Sequence, residues 1–153
     1  MTRITDASTP LAPGRAGAVI VCAHVEERVT GRQGSEAAGA AEHFRERAEA
    51  AIAEDDLAAL RRIVLEIANE ARDREWAQSC FIQLARHRDA EVRGNAILGF
   101  GHLARRFGRL DPQRVRRIVG IALVDPSPSV REKARSAALD LRTFLRWEFD
   151  EAS

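Results

Sequence analysis

The side chains that could carry chemistry in this sequence are four histidines, two cysteines and a dense set of arginines. His24, His43, His87 and His102 are scattered, and only His24 lies near a second soft ligand, Cys22. One such pair, with no second pair nearby, does not make a metal centre. No glycine-rich turn follows a strand-like run, so a phosphate cradle of the nucleotide-binding kind is not expected. Gly94, Gly99 and Gly101 fall inside a helical pattern instead, where each costs on the order of 1 kcal/mol against alanine. Close approach of a neighbouring helix explains them better than a binding cleft. No nucleophile, base and orienting acid group together, so the expectation is no catalytic residue, no metal and no cofactor.

The arginines are the one strong local imbalance of charge. Arg105, Arg106, Arg109, Arg114, Arg116 and Arg117 surround a single acid, Asp111. Such a run is either a solvated face or a surface for an acidic partner or phosphates. Over residues 90–107 the helical period turns Val92, Ala96, Phe100, Leu103 and Phe107 toward a core. It leaves Asn95, Gly99, His102, Arg106 and Arg109 as a polar stripe. Asn95, His102, Arg106 and Arg109 are therefore the candidate partner-binding residues, with Asp140 in the His102 position one repeat on. Neither Arg106 nor Arg109 is expected in the core, so changing both to Glu is expected to leave the fold intact.

The elements that must position these residues follow from an internal repeat. When the sequence is shifted so that Asp73 falls on Asp111, His87 falls on Asp125, Val92-Arg93 on Val130-Arg131, Ala96 on Ala134 and Leu103 on Leu141. Ala77, Cys80, Phe81, Leu84 and Ala85 likewise fall on Val115, Ile118, Val119, Ala122 and Leu123. A period of roughly 40 residues holding two helical patterns is the signature of stacked helix pairs. Helix-starting residues recur at Asp73, Asp89, Asp111 and Ser127, and Ser35 shares the register of Asp73. Pro112 and Pro128 suit first helical positions. These signals predict helices over 36–54, 56–71, 74–87, 90–107, 112–124 and 128–147, with Gly108 as a stop. Ala41, Phe44, Ala48, Ala51 and Ile52 make the first apolar stripe, and Leu57, Leu60, Ile63, Val64 and Ile67 the second.

The fold expected is all-α, a short right-handed α-solenoid of about three helix pairs over 35–153. Residues 1–34 hold no repeat register and read as a flexible segment, with Ala18–Val25 a short strand candidate. At 153 residues one core is the default, and 24 basic against 23 acidic side chains give no general pull toward nucleic acid. Lys133 is the only lysine. Cys80 sits on an apolar face and reads as a small buried hydrophobe. Two cysteines and no secretion signal suggest a reducing cytoplasm. The apolar run 16–25 is too short to span a bilayer.

The pattern Asp125-x5-Arg131, with Val130 before the arginine and Ala134 after it, resembles a HEAT repeat. Val92-Arg93-x-x-Ala96 is similar, with His87 where the family usually has Asp. The resemblance implies that Arg93, Asp125 and Arg131 belong to a structural ladder between turns and neighbouring helices, and that the rung at His87 is weakened. Residues 73–146 resemble more closely small bacterial HEAT-repeat proteins associated with toxin–immunity loci. The runs that carry this are Val92-Arg93-Gly94-Asn95-Ala96, Gly99-Phe100-Gly101-His102-Leu103-Ala104-Arg105 and Gly108-Arg109-Leu110-Asp111. The resemblance implies a non-catalytic protein–protein interaction module that binds and neutralises a cognate toxin. A generic HEAT-repeat scaffold or regulatory adaptor is the alternative. A nucleic-acid-binding or base-excising HEAT-like protein ranks third, since such arrays need more repeats and placed aromatics around an extruded base. Iron-binding HEAT-repeat hydroxylases use repeated His-Glu pairs, and no histidine here is followed by Glu.

Overall fold

Asp56, Asp73, Asp89 and Asp111 each start a helix for one reason. Their backbones are extended, and each carboxylate accepts amide N–H bonds from the first turn that no carbonyl can satisfy. Asp73 takes Glu75 and Trp76, and Asp111 takes Gln113 and Arg114. The computed structural model describes residues 32–150, and every regular element there is helical. Six helices follow in order: α1 Arg32–Glu54, α2 Leu57–Glu70, α3 Arg74–Leu84, α4 Ala90–Phe107, α5 Pro112–Ala122 and α6 Pro128–Leu145. The strand candidate 18–25, with Cys22 and His24, lies outside the described residues.

Three details depart from the sequence expectation. Ser35 is inside α1, which begins at Arg32, so it caps nothing. Ser127 flanks α6 without a side-chain cap bond; its own N–H donates to Asp125 Oδ1 at 2.9 Å. The helices α3 and α5 stop short of their expected ends, at Leu84 and Ala122. In both, the chain tightens into i→i−3 bonds: Arg86 N–H to the Gln83 carbonyl and His87 N–H to Leu84, then Val124 to Ile121 and Asp125 to Ala122. The second pair of bonds is the first moved on by one repeat, so the repeat extends to the backbone. Gly108 ends α4 at φ +68, where a Cβ would be strained.

The chain divides into two compact units, 1–46 and 47–153. In the first, the described residues are the α1 turns up to Glu46, with Ala37, Ala41 and Phe44 half-buried along one stripe. In the second, α4 is the centre and packs against α2, α3, α5 and α6. Phe81 of α3 and Phe100 of α4, both fully buried, meet edge to face at 5.9 Å. Leu60, Ile63, Val64 and Ile67 of α2 are buried, as are Val92, Ala96, Leu103, Val115, Val119, Val130, Ala134 and Leu141. Cys80 is buried as expected. Trp76 donates its indole N–H to Glu49 of α1 at 2.9 Å, so it reaches back past α2 to the first helix.

Ala96 and Ala134 have no exposed surface. Replacing either with Leu is expected to cost about 1–3 kcal/mol through overpacking, read as a fall in the urea midpoint. An unchanged midpoint in both variants would remove these positions from the core.

A charged rung joins neighbouring pairs. Arg93 donates through Nε and Nη2 to both oxygens of Asp125, at 2.8 and 2.9 Å, and through Nη1 to the His87 carbonyl. Arg131 repeats that last contact, donating Nη1 to the Asp125 carbonyl at 2.7 Å. Asp125 is 9 % exposed, and the hydrogen bond from Arg93 holds its carboxyl below the usual range although burial opposes this.

His87 keeps a contact with the preceding turn, made by a different kind of pair. Asp55 directly precedes Asp56, the cap of α2, and its Oδ1 lies 2.6 Å from His87 Nε2. The other ring nitrogen, Nδ1, accepts from Asp89 N–H at 3.0 Å, as Asp125 accepts from Ser127. With Nδ1 accepting, Nε2 is the ring nitrogen that can donate to Asp55.

Candidate functional site

Side-chain bonds fix how α2, α4 and α6 lie beside one another. At the N-terminal ends Arg61 of α2 reaches Asp89 and Glu91 at the start of α4. At the C-terminal ends Arg106 of α4 donates to the Ala68 and Ala71 carbonyls of α2, at 2.9 and 2.8 Å. Start meets start and end meets end, so α2 and α4 are parallel. Between α4 and α6 the contacts also advance in step. Gly94 lies against Val130 and Lys133, Lys133 Nζ donates to Asn95 Oδ1 at 2.6 Å, and Gly101 and Arg105 lie against Asp140. A Cβ on any of the three glycines of α4 would come within 3.0 Å of a neighbouring helix's side chain. The reading of close approach accounts for all of them.

These contacts redistribute the polar stripe. Gly99 is buried beneath the Phe81 ring and is not part of any exposed row. Asn95 is half-buried and engaged by Lys133, and Asp140 accepts from Arg105 at 2.8 Å. Arg106 supplies the donors that the last carbonyls of α2 need, a stabilising C-terminal contact. The helical wheel did not anticipate this contact, and replacing Arg106 with Glu is expected to loosen the end of α2. His102 is half-buried, and burial followed by the Arg105 charge pushes its imidazole down, favouring the neutral ring. Arg109 is exposed, beside Arg72 and Phe107.

The arginine run also disperses. Arg105 and Arg106 are engaged as above, and Arg116 donates to the Glu148 carbonyl at 2.8 Å. Asp111, the one acid among them, spends its carboxylate on the α5 cap. The basic patch read from the sequence is thus about half structural.

What the stripe missed is apolar. Leu65 of α2 is 49 % exposed and Leu139 of α6 is 61 % exposed. Leu98 of α4, at the same depth from its helix start as Leu65, is half-buried. All three lie on the parallel helices α2, α4 and α6, with Arg62, Asn69, His102, Arg135 and Arg142 three or four residues from one or other of them. One signal was available: Leu139 falls on Gly101 in the repeat register, a large apolar residue where the preceding repeat has none.

Among the described residues no group of three His, Cys, Asp or Glu could hold a metal ion. No described helix is long and apolar enough to cross a membrane. Comparison with family models, with characterised proteins and with solved structures gives no match for this chain.

Proposed function

We propose that this protein is a non-catalytic binding module, a short right-handed stack of three HEAT-like helix pairs that masks a protein partner stoichiometrically. Its cognate partner is a bacterial toxin domain, and the setting is the cytoplasm. The observation that carries the binding reading is the face of α2, α4 and α6, where Leu65, Leu98 and Leu139 meet water among polar and charged side chains. Apolar anchors ringed by polar groups are the usual anatomy of a protein interface. The HEAT-like reading is supported by the Arg93–Asp125 rung and by backbone bonds that recur from one repeat to the next. The toxin reading rests on the resemblance over residues 73–146.

The test is titration of the purified chain against the product of the neighbouring gene. Burying a leucine is worth about 1.5–3 kcal/mol, so Leu65→Glu with Leu139→Glu is expected to weaken binding at least tenfold at an unchanged melting temperature. Arg109→Glu alone should slow association, most at low salt. Undiminished affinity in the leucine variant places the interface elsewhere. Turnover of any substrate by the purified chain sinks the non-catalytic reading, and tight, steeply salt-dependent binding of a DNA duplex or tRNA favours nucleic acid instead.

A further inference from the structure

A second surface lies on α3 and α5, the two helices that pack against α4 from elsewhere in the unit. Here the end of α3 and the middle of α5 enclose a cleft of about 420 Å³. Its apolar wall is Ile118 and Ile121, with Ala85 and Ala122. Ile121 is 61 % exposed, and so is Val124 one turn further on. Both are anomalous in the repeat, whose register sets them on Gln83 and Arg86, which are polar. A solvent-facing position that becomes a large aliphatic in one repeat only is not explained by stacking.

Apart from Asp125, the charged residues that line the cleft are arginines. Helix α5 holds Arg114, Arg116 and Arg117 and no acid. Arg86 and Arg117 both line the cleft, and neither has a side-chain hydrogen bond or ion pair among the described residues. The one acid in the lining, Asp125, is taken at both oxygens by Arg93. The cleft therefore offers two uncommitted guanidinium groups beside an aliphatic wall.

We propose that the α3–α5 cleft is a docking site for an acidic, aliphatic peptide segment of a protein partner. A Leu or Ile side chain of the segment fills the space against Ile118 and Ile121. Its Asp or Glu carboxylates take Arg86 and Arg117, which present planar forks suited to bidentate pairing. The volume is that of a small-ligand pocket, enough for one or two side chains and too small for a folded surface. Charge complementarity and the aliphatic wall select this occupant over nucleic acid. A phosphate backbone would use the arginines and leave Ile121 and Val124 unburied, and no aromatic side chain lines the cleft to stack a base. This site is separate from the α2–α4–α6 face and does not depend on it.

The experiment is selection of a random peptide library on phage against the full chain, followed by titration of the selected peptides, synthesised and fluorescently labelled. Enrichment of sequences pairing Leu or Ile with Asp or Glu is the expected result. Binding should fall at least tenfold in Arg86→Gln with Arg117→Gln, and also in Ile121→Ser. Leu65→Glu with Leu139→Glu should not change it. In the unaltered chain, the methyl signals of Ile118 and Ile121 should shift on peptide addition, a readout that needs no variant to fold. The proposal is overturned if no peptide is enriched, if the selected peptides lack acids, or if those methyl signals stay in place. It is equally overturned if the arginine variant binds undiminished, or if a DNA duplex competes with the peptide at physiological salt.

Discussion

Arg93→Ala is expected to remove about 3–5 kcal/mol of stability, a large part of what a domain of this size possesses. The guanidinium is 19 % exposed and the carboxylate facing it 9 %. Truncating the arginine leaves Asp125 buried with only the Ser127 N–H for company. It also releases the His87 and Arg88 carbonyls that Nη1 satisfies. Asp125→Asn is expected to cost less, since an amide oxygen can still accept one of the two bonds.

The parent and Asp125→Asn differ in their response to acid. The Asp125 carboxyl titrates below its unfolded value of about 3.9. Near and below that value the unfolded chain binds more protons than the folded one, so stability rises with pH. The contribution is fully present above the unfolded value and is lost as the pH falls through the folded one. Urea midpoints measured from neutral pH into strong acid should therefore show the parent converging on Asp125→Asn as acid is added. A gap that stays constant over that range would mean the rung contributes nothing through its charge. His102 acts in the same direction higher up, because its depressed imidazole draws stability down once the pH falls below about 6.5.

The repeat made the helices legible. Caps at Asp73, Asp89 and Asp111, prolines at 112 and 128 and the αL glycine at 108 are local signals, and a helix end depends on little else. The polar stripe was less legible, because a helical wheel separates one apolar side from the rest and α4 has neighbours on α2, α3, α5 and α6. A residue off the core side of such a helix often meets the next helix and not water. Asn95 and Gly101 do so directly. Long side chains add a second blind spot: Arg106 is exposed in part, yet its fork reaches the Ala68 and Ala71 carbonyls of another helix. The Asp55–His87 contact escaped for another reason. A pattern that asks for one residue type at one position registers His87 as a loss. Only the contact shows that a carboxylate from another position in the turn meets the ring.

Phe81→Ala is expected to cost about 3–5 kcal/mol, and the same change should reverse the sign of a second one, Gly99→Ala. In a helix interior Gly→Ala ordinarily stabilises by roughly 1 kcal/mol. At Gly99 a Cβ would stand 2.5 Å from Phe81 Cε2 and 2.6 Å from Cζ. The ring cannot retreat cheaply, since it is fully buried and set edge-on against Phe100. Gly99→Ala in the parent is therefore expected to destabilise by about 1–3 kcal/mol. With the Phe81 ring removed the obstruction is gone, and the helix preference should reassert itself, so the alanine should raise the stability of Phe81→Ala by up to about 1 kcal/mol. A cycle of four denaturation curves measures the coupling directly. If Gly99→Ala stabilises the parent as well, the ring does not press on this backbone. Such a result would leave the close approach of α3 and α4 without the residue that permits it.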